Sequence, residues 1–293
     1  LRSYFEGFSR TRPAMVIGLL TLLLNIPLNY ILIYGKCGMP SLGAVGCGYA
    51  TTLCYAFMAL ALAVYLYMDP QTRARDPLSI LRTRLSFSIN TALIRRVFRI
   101  GFPSALSLTF EVALFAISAI LLAPFGTNMV AGHQIAMSFA AVVFMVPLSL
   151  GMTATIRVGY ALGKGDRELV LTVIRTALSL AVLGGLLLSL ATVCLRFSIV
   201  ALYTTDEAIT VLAAHLLLFE AAYQIVDALQ CMGISLLRGH NDTRIISVIC
   251  GVAYLIVGIP LGFILARTTL LTDAPLGATG FWISYILSLG FCA

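Results

Sequence analysis

The sequence predicts an all-α integral membrane protein whose eight transmembrane helices belong to a twelve-helix, two-lobe parallel repeat. Three observations carry that prediction: an apolar, charge-poor composition, eight runs of membrane-spanning length, and an internal repeat displaced by six helices. The 293 residues are 60% apolar and 11% charged, with a mean hydropathy of +1.00. Soluble domains run at about 45–50% apolar and about 25% charged. That contrast excludes a soluble enzyme, a disordered regulator and a coiled coil.

A bilayer core of about 30 Å needs about 20 apolar residues per helix. Runs that meet this test are 14–35, 42–67, 102–125, 128–155, 174–195, 208–236, 245–266 and 276–293. Pro27, Pro147 and Pro260 fall inside runs, where they either kink the helix as hinges or mark irregular packing. Residues 68–99 form the one sizeable polar interval. If the spans alternate in direction, the basic residues separate. Arg2, Arg10, Arg12, seven arginines from Arg73 to Arg99, Arg157, Lys164, Arg167, Arg175, Arg238 and Arg244 share one side, and Lys36, Arg196 and Arg267 take the other. The positive-inside rule puts the first group in the cytoplasm.

The repeat is read from order and spacing. Ile26-Pro27-Leu28-Asn29-Tyr30-Ile31-Leu32 matches Ile259-Pro260-Leu261-Gly262-Phe263-Ile264-Leu265. Thr11-Arg12 matches Thr243-Arg244, and Leu42-Gly43-Ala44-Val45-Gly46 matches Leu276-Gly277-Ala278-Thr279-Gly280. The offset stays at about 232 to 234 residues, so spans one and two correspond to spans seven and eight. An even displacement makes the repeat parallel, as in transporter halves related by an axis along the membrane normal. The expected organisation is 1–67 as the last two helices of an N-terminal lobe, 68–99 as a cytoplasmic linker, and 100–293 as a six-helix C-terminal lobe with a truncated last helix. Four helices are expected upstream of Leu1, which is not an initiator methionine and opens no signal peptide.

Of the 12 acids, Glu111, Glu220 and Asp227 lie well inside predicted spans. An ionised carboxylate at bilayer depth costs at least ~2.5–3.5 kcal/mol, so such acids usually face a cavity or an ion path; the alternative is a protonated acid hydrogen bonded within the bundle. Glu111 lies nine residues after Phe102 and Asp227 nine before Leu236, which at ~1.5 Å per residue puts both ~13 Å from the inner boundary. Ser104, Ser107, Glu111 and Ser118 form one stripe; Tyr223 and Asp227 share a face that Glu220 and Gln230 extend. Two polar stripes with acids at matching depth describe a site between helices. His133 and Gln134 open span four and either line a cavity or hydrogen bond structurally. His215 lies about 120° around its helix from Asp227 and is structural.

Seven cysteines, with no CxxC or Cys-His zinc spacing, are read as small buried apolar residues. The net charge of +7 is scattered through short loops, not gathered into a nucleic-acid-binding face. Gly159 to Lys164 loosely resembles a phosphate loop but is one residue short, with Gly165 where a magnesium-binding hydroxyl belongs. No hydrolase or metalloprotease motif is present, no nucleotide-binding domain fits in the loops and no cofactor is expected, so any pumping would be driven by an ion gradient.

Several short stretches together resemble a known family. They are Glu6-Gly7 with Thr11-Arg12-Pro13, Asn25-Ile26-Pro27-Leu28-Asn29-Tyr30, Gly46-Cys47-Gly48, Gly101-Phe102-Pro103, Gly132-His133-Gln134, Arg157-Val158-Gly159, and Tyr223-Gln224 with Asp227. In order and across nearly the whole chain, they are similar to the NorM-type multidrug and toxic compound extrusion (MATE) transporters. The resemblance implies twelve helices in two lobes and antiport of amphipathic, often cationic drugs against Na+ or H+ across the bacterial inner membrane. It also implies a monomer working among membrane lipids. Glu111, Tyr223 and Asp227 match the family's cation-coupling carboxylate cluster, with Glu111 and Asp227 as the metal ligands if the ion is Na+. Ser107, His133, Gln134, Glu220 and Gln224 are expected to line the cavity, although Glu220 departs from the family pattern. A lipid-linked precursor flippase of the same superfamily, an intramembrane enzyme and a non-transporting membrane subunit are the other readings. The flippase would need a cationic cavity, the enzyme a nucleophile or metal motif, and the subunit no deep acids.

Overall fold

The computed structural model describes residues 5, 12–36, 38, 40–69, 91–271 and 273–293. Arg2, Arg10, Arg73, Arg75, Arg82 and Arg84, the Glu6-Gly7 and Thr11 positions, and 70–90 of the expected linker lie outside them. With no water at bilayer depth, each backbone N–H must find its acceptor within the span, and the apolar runs accordingly form helices. The chain divides into two compact units, Leu1–Ile89 and Asn90–Ala293.

The first unit holds a helical hairpin, α1 (Arg12–Tyr34) and α2 (Gly43–Met68). Its polar motif residues act between and along the two helices. Asn29 Nδ2 donates to Asn25 Oδ1 at 2.8 Å, and Asn25 Nδ2 reaches Cys54 Sγ at 3.5 Å. Gly46 lies against the backbone of Leu32, where any Cβ would collide with that carbonyl. Small residues that let backbones approach, with amides bridging helices, are how membrane helices associate when lipid supplies no hydrophobic drive.

The second unit contains α3 (Thr91–Leu122), a single tight turn (Ala123–Phe125), α4 (Thr127–Lys164), α5 (Arg167–Ala201) and α6 (Glu207–Gly239). It continues with α7 (Thr243–Gly251), a π-helical stretch (Val252–Gly258), α8 (Ile259–Arg267) and α9 (Ala278–Cys292). Seven helices along the described chain are long and apolar enough to cross a membrane, with 243–267 counted as one; α9, at 15 residues, is shorter. The helices outrun several apolar runs. Thus α3 starts at Thr91 within the interval 68–99, and α4 and α5 continue to Lys164 and from Arg167. Hydropathy detects the part of a helix in lipid, whereas Arg95, Arg96, Arg99 and Lys164 are exposed on helical turns beyond it.

The Gly159–Lys164 stretch is the end of α4, not a phosphate loop. Gly165 adopts φ 71° to close that helix, and Asp166 Oδ1 then accepts from the Leu169 N–H at 2.9 Å to begin α5. Asp206 caps α6 through Ile209 N in the same way, at 3.1 Å.

The most buried of the membrane-length helices is α6, which packs on α4, α5 and α9. It runs parallel to α4, with Gly132 against Leu212, Gly151 against Ser235 and Gly239 against Val158. Thr155 Oγ1 adds a bond to Ser235 O at 2.7 Å. It runs antiparallel to α5, where Gly185 faces Ala228 and Thr192 faces Gln224. The outer face of α5 carries exposed Leu183, Leu187 and Leu190. Leucines turn outward while small and polar residues turn inward, as expected where the surroundings are hydrocarbon. Leu114, Tyr254, Phe281, Trp282, Tyr285 and Leu289 pack the core where α3, the π-helical stretch and α9 meet. There, Ser284 Oγ donates to the carbonyl of Gly258 at 2.6 Å, satisfying an acceptor beside the widened turn.

Candidate functional site

A cleft of about 260 Å3 opens between α3, α4, α6 and α9. Glu111 enters it from α3, Tyr223 and Asp227 from α6 and Trp282 from α9, with Leu108, Val112, Phe115, Met137, Ala140, Ala141 and Phe144 completing the wall. Glu111 is half-buried, Asp227 is buried, and the lining contains no lysine or arginine.

The α-helical repeat explains the α6 contribution, because residues four apart stack on one face. Tyr223 OH donates to Asp227 Oδ1 at 3.3 Å. The Tyr223 ring meets the Trp282 ring edge-on, with centroids 5.7 Å apart and planes at 89°. Trp282 is fully buried, and its Nε1 has no hydrogen-bond partner among the described residues. An acidic pair surrounded by aromatic faces can hold a small cation between carboxylates and accept an organic cation against the rings.

Tyr223 and Asp227 also line a second, much tighter pocket of about 10 Å3 with Glu220 and Gln224. Gln224 Nε2 donates to both carboxylate oxygens of Glu220, at 2.7 and 2.6 Å, and to Thr192 Oγ1 on α5 at 3.0 Å. The remaining polar position on the α6 face is turned elsewhere: Gln230 Nε2 donates to Tyr254 OH at 2.7 Å.

The cleft thus brings together Glu111, Tyr223 and Asp227, and the adjoining pocket adds Glu220 and Gln224. Three expected residues lie outside both linings. Ser107 is buried and donates to Ser104 O at 2.9 Å within its own helix. His133 is buried with its ring edge-on to Trp282 at 6.1 Å, behind the cleft wall. Gln134 is exposed. His215, read as structural, is exposed and packs on Phe219. Among the described residues, no three His, Cys, Asp or Glu side chains gather as a metal cluster. Sequence reasoning overlooked Trp282, Phe115, Phe144, Met137 and Thr192. The chain's single tryptophan, placed inside an apolar run, was the one available signal.

This is the architecture of a polytopic, all-helical membrane protein. The MatE family model matches residues 103–264, more than half of the chain, and the chain belongs to that family, whose members are transporters and not enzymes. Solved structures agree on the fold. The eukaryotic MATE transporter AtDTX14 superposes with a TM-score of 0.86 at 22% identity, covering 99% of this chain and 62% of that one. An outward-facing multidrug resistance MATE family transporter of the MOP superfamily gives 0.80 at 22%, covering 97% and 60%. A point mutant of the Vibrio cholerae MATE transporter VcmN gives 0.78 at 17%, covering 99% and 62%. The chain therefore spans about 60% of the length of these structures.

Proposed function

We propose that this chain is part of a secondary active antiporter that exports amphipathic or cationic drugs in exchange for Na+ or H+, as a monomer in the bacterial inner membrane. The observation that carries the reading is the meeting of Glu111, Tyr223 and Asp227 in one cleft rimmed by Trp282, Phe115 and Phe144. Two carboxylates at bilayer depth without a cationic partner in the lining favour a site that exchanges positive charge. A lining whose charged groups are both acidic is also the wrong sign for a pyrophosphate-bearing lipid, which counts against the flippase. The bacterial inner membrane follows from the resemblance to NorM-type transporters.

In this cycle Glu111 and Asp227 hold the coupling ion, and the Tyr223 hydroxyl orients Asp227. An arriving organic cation replaces the ion at the same carboxylates, and its flat face rests on the aromatic wall. The test is export by the complete protein carrying Glu111→Gln or Asp227→Asn, normalised to the amount of protein in the membrane. The amide keeps the shape and removes the charge, so export should fall to background while protein level holds. Near-normal ion-coupled export by either variant would remove that residue from the site.

A further inference from the structure

We propose that Glu220 is a second monovalent-cation station of this lobe, distinct from the cleft and joined to it through the tight pocket shared with Tyr223 and Asp227. The proposal rests on the ion-exchange reading of the cleft and adds a position to it. Glu220 is fully buried near the middle of α6, at a depth where an uncompensated carboxylate is costly. Its pocket is walled by α4 residues from Ala140 to Leu150 and by α5 residues from Leu180 to Leu188. None of these is charged, and the only other titratable groups in the lining are Tyr223 and Asp227. The partner it does have is a neutral amide. Gln224 Nε2 shares one N–H between the two carboxylate oxygens while its other N–H reaches Thr192, and ionised carboxylates offer about four acceptor positions, so at least two stay open for a cation. Gln224 is itself held by Thr192, whose hydroxyl lies 2.9 Å from Leu188 O. The amide is thereby fixed as a clamp on the carboxylate.

The size of the pocket supports the same conclusion. About 10 Å3 corresponds to one water-sized sphere, enough for a single bridging water or a bare sodium ion and too small for an organic molecule. A drug that occupies the cleft therefore has no access to Glu220, whereas a small cation passing Tyr223 and Asp227 does. The lobe then carries two exchangeable small cations, one at a carboxylate the substrate reaches and one at a carboxylate it does not. A permanently protonated acid, hydrogen bonded for structure alone, would exchange nothing.

The experiment counts cations on the complete purified protein, using radioactive sodium binding in one arm and proton uptake on titration through neutral pH in the other. One arm responds if the ion is Na+, the other if it is H+. Glu220→Gln should lower the wild-type count by one while tetraphenylphosphonium binding stays measurable, and Gln224→Leu, which removes the clamp without touching the acid, should weaken cation binding at that second position. A count in Glu220→Gln equal to wild type overturns the proposal. If Glu220→Gln does not accumulate, an unchanged cation-binding isotherm in Gln224→Leu overturns it equally. Failure of the underlying reading looks different: tetraphenylphosphonium binding would then be untouched by Asp227→Asn.

Discussion

The Tyr223 hydroxyl lies 3.3 Å from Asp227 Oδ1, one turn up the same helix, and the Tyr223 ring is held edge-on by Trp282 from α9. The acid that carries the proposed ion chemistry is therefore oriented by a side chain that is itself anchored to another helix. Tyr223→Phe keeps the ring contact and removes only the hydroxyl. A hydrogen bond to a charged group contributes about 1.5–3 kcal/mol, so sodium affinity, which needs the carboxylate held in place, should fall about tenfold or more, with folding intact. Ion-binding isotherms of the purified variant measure this, and unchanged affinity would assign Tyr223 a packing role.

Glu111 and Asp227 face one cleft from different helices, and two carboxylates that share an ion act as a unit. Glu111→Gln combined with Asp227→Asn should weaken cation binding by the purified protein no more than the more damaging single change. Additive losses would mean that they work independently.

Trp282→Phe retains an aromatic face in the cleft, whereas Trp282→Leu removes it. Cation–aromatic attraction is about 0.5–2 kcal/mol, so tetraphenylphosphonium affinity should drop several-fold in the leucine variant and less in the phenylalanine variant. Equilibrium binding decides this; equal affinities for the two variants would rule out the ring as a contact.

Packing makes a separate prediction. A Cβ on Gly280 would lie 2.7 Å from Ala266 N and 2.8 Å from Leu265 C, both backbone atoms that cannot swing aside. Gly280→Ala should therefore destabilise the α8–α9 contact by about 1–3 kcal/mol. Gly159, with nothing within 4 Å of its Cβ position, is the control, and Gly159→Ala should be near neutral. Thermal unfolding midpoints in detergent compare the two.

Much of this was legible before the structure because lipid imposes simple rules. Apolar length marks each helix, and a buried acid is expensive enough to be conspicuous, so Glu111, Glu220 and Asp227 stood out against their apolar surroundings. Helix ends were less legible, since the turns bearing Arg95, Arg96 and Arg99 leave the apolar region without ceasing to be helical. The cleft wall was illegible for a different reason. Phe115, Phe144 and Met137 look like any lipid-facing residue until the packing of α3 on α4 and α9 decides which of them face inward. Ser107 failed in the opposite direction: a polar residue on the right stripe found its acceptor on its own helix.

The π-helical stretch Val252–Gly258 bears on how the two matched helices can differ in length. Between paired anchors, Arg12 to Ile26 in α1 and Arg244 to Ile259 in its counterpart, the second holds one residue more. An i→i+5 ring takes in a surplus residue locally. Had the α-helix simply continued, everything beyond would have rotated by about 100°, carrying Gly262 and Ala266 away from Phe281 and Gly280 on α9. The widened turn is thus a register adjuster. A one-codon deletion inside 252–258 should be tolerated as a return to regular winding, whereas the same deletion a turn later, within α8, should uncouple that helix from its neighbour.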